Sequence, residues 1–583
     1  MAFIVDDGDG PPQLDLLWLE SGERRRLTGF RRGVRDFDWA PDGQWLALLA
    51  EDEDSPYEVA TCSEEGSSLG DSSEPCCRVI EHGDWRRDGE GLRLHPRHVH
   101  RVSVSACPGE SERLTSGRWS LARPRVGRDG AVFVLADLRE DADIAPCPQV
   151  YKLAVTSRGE LEPATFLAGG VRRYHLADDG SITVIGHAVA SPKADEPLMA
   201  FRVTLDGVHT LLLVELADER WVGDLGGESD LHDWWTEPED SGDITTMSVD
   251  GETLPVRLST GVVLARGCQT SSVAEHQAKA AAVLIRGHEP GAPEVFALEP
   301  SGVRRLTHHG SQWLDRYELP EVERLTVPGP GGDIVVYLVH PLRSCKEPAP
   351  LVLNLHGGPT AQWGGPPTLE AMVLASAGYR VAMPNLRGSV DQGRHWASSL
   401  HGAWGTVDAA DAHAVLDYLI DIGVAQAGRI GVCGLSYGGF LASWLAVTSD
   451  RFAAAVTENG VSNQLTAWGA CDTGPLYAEA AGLGDPTSDE GAARLWASSP
   501  LRHVTRLRCP LLILQGEDDL RCPPADNEQM FVALRRLRRE VAYVIYPESD
   551  HLMQGTARLD RRIDRHRRVL EWFRRYMPPY LPS

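Results

Sequence analysis

Lysine is almost missing from this 583-residue chain: it stands only at 152, 193, 279 and 346, leaving 53 of the 57 basic positions to arginine. Such a skew reflects codon usage more often than chemistry. Base is also outnumbered by acid, 57 to 83, and the resulting charge of −26 repels phosphate backbones and anionic lipid. Nucleic acid and membrane surfaces are therefore not expected as partners. No apolar run reaches the roughly 18 residues of a membrane span, and the segment from Met1 to Asp9 carries no basic stretch ahead of an apolar core, so it does not read as a secretory signal. The expectation is a cytoplasmic protein. Cysteine is scattered and odd in number, 11, with Cys76 and Cys77 adjacent and no C-x-x-C pair, which argues against a disulfide framework and a zinc ribbon. Most cysteines are expected to be small buried hydrophobes. Neither an H-E-x-x-H helix nor a Gly-Lys dipeptide occurs, so no metal and no nucleotide cofactor is expected.

What is present is the composition of an ordinary soluble globular protein, 42% hydrophobic and 24% charged, on a chain long enough for two substantial cores. Up to about residue 315 the text is short β-rich segments broken by Asp-Gly turns, beginning at Asp42, Asp88, Asp129, Asp179, Asp206 and Asp250. Their intervals of 46, 41, 50, 27 and 44 sit mostly near the length of one four-stranded propeller blade. A phrase also recurs: Arg25-Arg26-Leu27-Thr28, Glu112-Arg113-Leu114-Thr115 and Arg304-Arg305-Leu306-Thr307. Residues 1–315 are accordingly expected to form an all-β propeller, in which blades stack because none can bury both faces alone. One or two β-sandwiches are the alternative. The acidic and Ser-rich stretches at Glu51–Asp54 and Glu64–Glu74 read as solvated loop.

From about residue 316 to 583 strands and helices alternate, the mark of a mostly parallel sheet covered on both faces. The predicted strands are Leu351–Leu355, Tyr379–Met383, Arg429–Cys433, Phe452–Thr457, Leu511–Gln515 and Val541–Tyr546, and the predicted helices Thr368–Ala377, Ala409–Ile422, Phe440–Thr448, Ala525–Leu537 and Arg561–Tyr576. In the last helix Ile563, Val569, Leu570, Trp572 and Phe573 supply an apolar face, with the arginines as its wet side.

Between a predicted strand and a predicted helix lies Gly434-Leu435-Ser436-Tyr437-Gly438-Gly439, a G-x-S-x-G that would aim the Ser436 hydroxyl out over the strand ends. A hydroxyl is a weak nucleophile at neutral pH and needs a base, which in turn needs an orienting group. Both follow in order: Asp519 in Gly516-Glu517-Asp518-Asp519, and His551 in Pro547-Glu548-Ser549-Asp550-His551, each after its own strand. Glu517 and Asp518 read as turn residues beside Asp519. For the oxyanion of acyl transfer, the backbone N–H groups of Gly358, in His356-Gly357-Gly358-Pro359, and of Tyr437 are the candidates, with His356 as an organiser of its loop. Trp468 and Tyr477 are candidates for a specificity pocket, with ordinary packing as the equal alternative.

These motifs, together with Asn385-Leu386-Arg387-Gly388-Ser389 and Asp519-Leu520-Arg521-Cys522-Pro523, resemble the prolyl oligopeptidase family of serine peptidases, most closely its acylaminoacyl-peptidase branch. The chain departs from the family's usual residues at Leu386 and at Val390-Asp391-Gln392-Gly393. The resemblance implies an N-terminal β-propeller followed by a C-terminal α/β-hydrolase domain, with Ser436 as nucleophile, Asp519 orienting His551, and Gly358 and Tyr437 as the oxyanion hole. It implies hydrolysis of short peptides, N-acylated ones among them, screened by size. A broad esterase or amidase and a catalytically dead propeller binding protein are the other readings; assembly as a homo-oligomer stays open.

Overall fold

The structure, a computed structural model, describes residues 1–583 apart from 7–9, 52–57, 60–76, 154–158, 178, 194–195, 197, 205–208, 213–220, 223–242, 250, 267–268, 277–280, 288–293, 300–301, 344–347, 366 and 580–583. The acidic and Ser-rich stretches expected as loop lie almost wholly outside the described residues, as do Asp206 and Asp250 of the turn series. The chain forms two compact units, one of Met1–Ser191 with Ala200–Leu211 and one of Pro192–Met199 with Leu212–Ser583.

Among the described residues the first unit is a series of small sheets, one of three strands, three of four and two of only two. One strand explains how they stack. In Trp45–Glu51, the alternate residues Leu46, Leu48 and Ala50 pack with Leu14, Leu16 and Leu27, while Ala47 and Leu49 pack with Val99, Val132 and Val134. A strand whose side chains alternate between faces thus fills two cores, one toward the preceding sheet and one toward the next. This is why residues 46–50 are apolar without alternation.

The recurring phrase has a physical meaning. The N–H of Leu27 reaches the Leu14 carbonyl at 2.8 Å, and the Leu14 N–H donates to Thr28 Oγ1 at 2.9 Å. The same two bonds join Leu114 and Thr115 to Val99, and Leu306 and Thr307 to Val295. In each copy a threonine hydroxyl takes over where the ladder's main-chain acceptor runs out. A fourth copy joins Ala164 and Thr165 to Val150, although the local text, Glu162-Pro163-Ala164-Thr165, shares only the threonine.

In the second unit, strands from Trp221 to Arg305 form a seven-stranded sheet, and the C-terminal part is an eight-stranded one. The latter consists of β1 (Val322–Gly329), β2 (Gly332–Val339), β3 (Leu351–Leu355), β4 (Arg380–Asn385), β5 (Ile430–Leu435), β6 (Ala454–Glu458), β7 (Leu511–Gly516) and β8 (Val541–Tyr546). Their spatial order is β1-β2-β4-β3-β5-β6-β7-β8, parallel from β4 to β8, with β2 antiparallel to both of its neighbours, β1 and β4. Leu351, Leu353 and Leu355 of β3 enter one core with Val432 and Phe440, and Val352 enters another with Val381, Met383 and Phe573. The sheet is covered on both faces, so β3 is a continuous apolar run.

The predicted helices and strands of this part are present, with ends displaced by a few residues. The β1–β2 hairpin and the three short helices at Gln464–Ala470, Gly474–Ala480 and Asp489–Ala497 were not foreseen. The last helix, Leu559–Tyr576, requires a correction. Ile563 is 60% exposed, whereas Arg565 is 4% exposed and pairs with Glu370 and Glu458. At 3.6 residues per turn, 565, 569, 572 and 576 share a face and 563 lies nearly opposite 565. Among the described residues no helix is long and apolar enough to cross a membrane.

Candidate active site

Ser436 occupies the turn between β5 and the helix Tyr437–Thr448, at φ 58° and ψ −120°. Such a backbone is costly for a residue with a Cβ and persists only where its surroundings hold it. Here the Ser436 N–H donates to the Glu458 carbonyl at 2.9 Å, and its own carbonyl accepts from Phe440 at 2.9 Å. The flanking glycines are demanded by space. A Cβ on Gly438 would stand 2.1 Å from the Leu355 carbonyl oxygen, and one on Gly434 would stand 2.5 Å from the Gly438 backbone. The helix is therefore packed directly against β3 and β5, which forces the serine into its sharp turn.

His551 Nε2 lies 2.9 Å from Ser436 Oγ, and His551 Nδ1 lies 2.9 Å from Asp519 Oδ2. Asp519 is fully buried. Its Oδ1 accepts the N–H groups of Arg521 at 2.9 Å and Cys522 at 2.7 Å, and its Oδ2 also receives Gln515 Nε2 at 3.4 Å. A carboxylate so held can only accept, so the proton on Nδ1 faces Asp519 and Nε2 keeps its lone pair toward the serine hydroxyl. The arrangement can move a proton from Oγ to Nε2 while the carboxylate fixes the ring. Glu517 and Asp518, by contrast, are exposed.

Tyr437 sits at the first position of its helix, where main-chain N–H groups have no intrahelical acceptor. Its side chain points elsewhere: the phenol donates to Asp408 Oδ2 at 2.7 Å, and the ring meets Trp404 edge-on at 4.7 Å. Only the backbone of Tyr437 is therefore left for the site. Gly358, at φ 104°, has its carbonyl fixed by the Tyr477 hydroxyl at 3.0 Å. The Tyr477 ring also meets Trp404, 5.9 Å away, so Tyr477 braces the Gly358 loop against the core beneath Tyr437. Trp468, on the helix Gln464–Ala470, is half-buried against the same core.

His356 is buried, with Nε2 2.8 Å from Ser389 Oγ and Nδ1 2.8 Å from the Gly357 carbonyl, and burial brings its pKa down to about 4. A neutral ring bridging two loops is an organiser, as its place in the sequence suggested. Gln515 and Tyr477's bond to Gly358 had no signal in the sequence, because both depend on which loops the sheet order brings together.

The strand order and the serine on its turn after β5 define an α/β-hydrolase type of enzyme. Residues 368–579 match the prolyl oligopeptidase family, so the protein is a serine peptidase carrying a domain of that family. The chain is 28% identical to "Uncharacterized peptidase YuxL" of Bacillus subtilis across 99% of its own length and 88% of the relative's. It is 33% identical to "Acylamino-acid-releasing enzyme 2" of Oryza sativa subsp. japonica, over 36% of this chain and 28% of that one. Its fold is that of the Pyrococcus horikoshii acylaminoacyl peptidase, with TM-score 0.80 at 18% identity, covering 100% of this chain and 87% of the other. An acylaminoacyl peptidase in complex with Z-Gly-Gly-Phe-chloromethyl ketone gives TM-score 0.81 at 18% identity, with the same coverage.

Proposed function

We propose that the protein hydrolyses short peptides, N-acylated ones among them, through an acyl-enzyme on Ser436. The observation that carries this reading is the unbroken chain of contacts from Ser436 Oγ through His551 to buried Asp519. In the forward step Ser436 Oγ bonds to the scissile carbonyl carbon as its proton passes to His551 Nε2. The carbonyl oxygen takes the negative charge and is met by the N–H groups of Gly358 and Tyr437. The C–N bond then breaks, and His551 returns the proton to the leaving amine. A water repeats the sequence and frees the acid. Asp519 keeps the ring in its productive tautomer throughout.

The stacked antiparallel sheets are read as blades of a propeller formed by residues 1–315, and residues 316–583 as the catalytic domain. The function of the blades would be to screen substrates by size. A soluble protein of the cytoplasm acting on peptides needs such a screen to spare folded proteins. The relatives' names favour acylated N-termini, and a broad esterase or amidase is the second reading, since a triad alone does not choose between ester and amide. The test is a peptide length series, offered with free and with acetylated N-termini. Cleavage confined to short members, with acetylated peptides preferred, supports the proposal; rates that do not fall with length, together with ready digestion of casein, oppose it.

A further inference from the structure

The end of β6 touches all three loops of the proposed triad. The Glu458 carbonyl accepts the Ser436 N–H at 2.9 Å. Asn459, the next residue, is completely buried and takes φ 43°, a left-handed conformation in which asparagine is among the few tolerated side chains. Its Oδ1 accepts the Gly516 N–H at 2.8 Å, three residues before Asp519. Its Nδ2 donates to the His551 carbonyl at 2.7 Å, with a longer contact of 3.4 Å to the Asp550 carbonyl. The amide orientation is fixed by these partners, because Gly516 offers only a donor and His551 and Asp550 only acceptors.

We propose that Asn459 is a positioning residue of the hydrolytic site, setting His551 at reacting distance from Ser436 and Asp519; this rests on the triad reading above. The site is built from loops on three different strands, and a serine–imidazole contact tolerates little displacement. One carboxamide joins two of those loops, while the backbone beside it holds the third. Aspartate in its place would accept from Gly516 and could no longer donate to the His551 carbonyl. Glycine would allow the backbone angle and remove both bonds. The anchor itself is rigid, since the Glu458 carboxylate is gripped by buried Arg565, which also binds Glu370 Oε2 at 2.7 Å. The C-terminal helix thereby fixes the strand end from which Asn459 reaches.

The experiment compares Asn459→Gly and Asn459→Asp with wild type in hydrolysis of p-nitrophenyl butyrate, with rates normalised to active sites counted by a fluorophosphonate. Expected for Asn459→Gly is a kcat lower by about 10- to 100-fold with KM nearly unchanged, and labelling that reaches completion but slows by the same factor. Asn459→Asp, which is isosteric, should also lower kcat, and the rising limb of its kcat/KM profile should move to higher pH because the new carboxylate favours imidazolium. A per-site kcat within twofold of wild type in both variants overturns the proposal, as does a loss of thermal stability with unchanged per-site kinetics. Ser436→Ala separates the two readings. If it still hydrolyses the ester, the triad reading fails; if it is inactive while both Asn459 variants match wild type, only the positioning role fails.

Discussion

The antiparallel sheets and the α/β domain use hydrogen bonds in opposite ways. In the sheets one device, a threonine hydroxyl closing the ladder, is repeated at Thr28, Thr115, Thr165 and Thr307, and each copy serves only its own strand pair. In the α/β domain the bonds at the strand ends are all different, and they converge: Glu458, Asn459, Gly516 and His551 belong to one network. Repetition makes stability local, and convergence makes geometry shared. Damage to a sheet should therefore cost stability without altering the chemistry of molecules that remain folded, and damage to the network should do the reverse.

The largest effect expected is in the network. Ser436→Ala should lower hydrolysis by about 1,000-fold or more while the melting temperature stays near wild type, as steady-state kinetics and a thermal scan would show. Asp519→Asn should be nearly as damaging, because it favours the wrong imidazole tautomer, whereas exposed Asp518→Asn should stay within about threefold. Equal damage from both would remove the basis for choosing Asp519. Gly438→Ala tests where packing and site meet: its Cβ would collide with the Leu355 carbonyl, so the variant should lose both folded yield and activity. On the other side of the comparison, Thr165→Val should cost about 1–3 kcal/mol by stranding the buried Val150 N–H, with per-molecule activity unchanged. A fall in activity per folded molecule would blur the division between the two regions.

The remaining effect is a pH dependence of stability. Asp526 is buried and accepts the N–H groups of Ser462 and Asn463 through Oδ1; burial pushes its carboxyl up to about 8. Its folded pKa is thus above the ordinary value of 3.8, so the folded state holds a proton that the unfolded chain has released, and stability from this group is lost as pH rises from about 4 to 8. A carboxamide at this position has no such proton to lose. The melting temperature of Asp526→Asn, measured against wild type at pH 5 and pH 8, should improve in relative terms at the higher pH.

The parts of the α/β domain that can be read from the chain are those in which local rules and global place agree. The glycines around Ser436 are required by close approach, and the apolar run Leu351–Leu355 by a sheet covered on both faces. Asp519 and His551 follow strands, so their order alone is informative. The three short helices between β6 and β7 have only 7, 7 and 9 residues, too few for a period to stand out, and Arg565 was hidden because a buried charge looks like a wet one until Glu370 and Glu458 are seen beside it. Asn459 was likewise invisible, for its partners lie 57 and 92 residues away. In the sheets the Arg-Leu-Thr phrase was legible at three places and missed at the fourth, where only the hydroxyl that performs the bond remains.

The central claim is that Ser436 is the nucleophile of a live hydrolase, and covalent capture tests it most directly. Wild-type protein treated with a fluorophosphonate, digested and mapped by mass spectrometry should carry one adduct, on the peptide containing Ser436, with parallel loss of peptide hydrolysis. An adduct on another residue that accounts for the lost activity, or an active enzyme that remains unlabelled, would contradict the account.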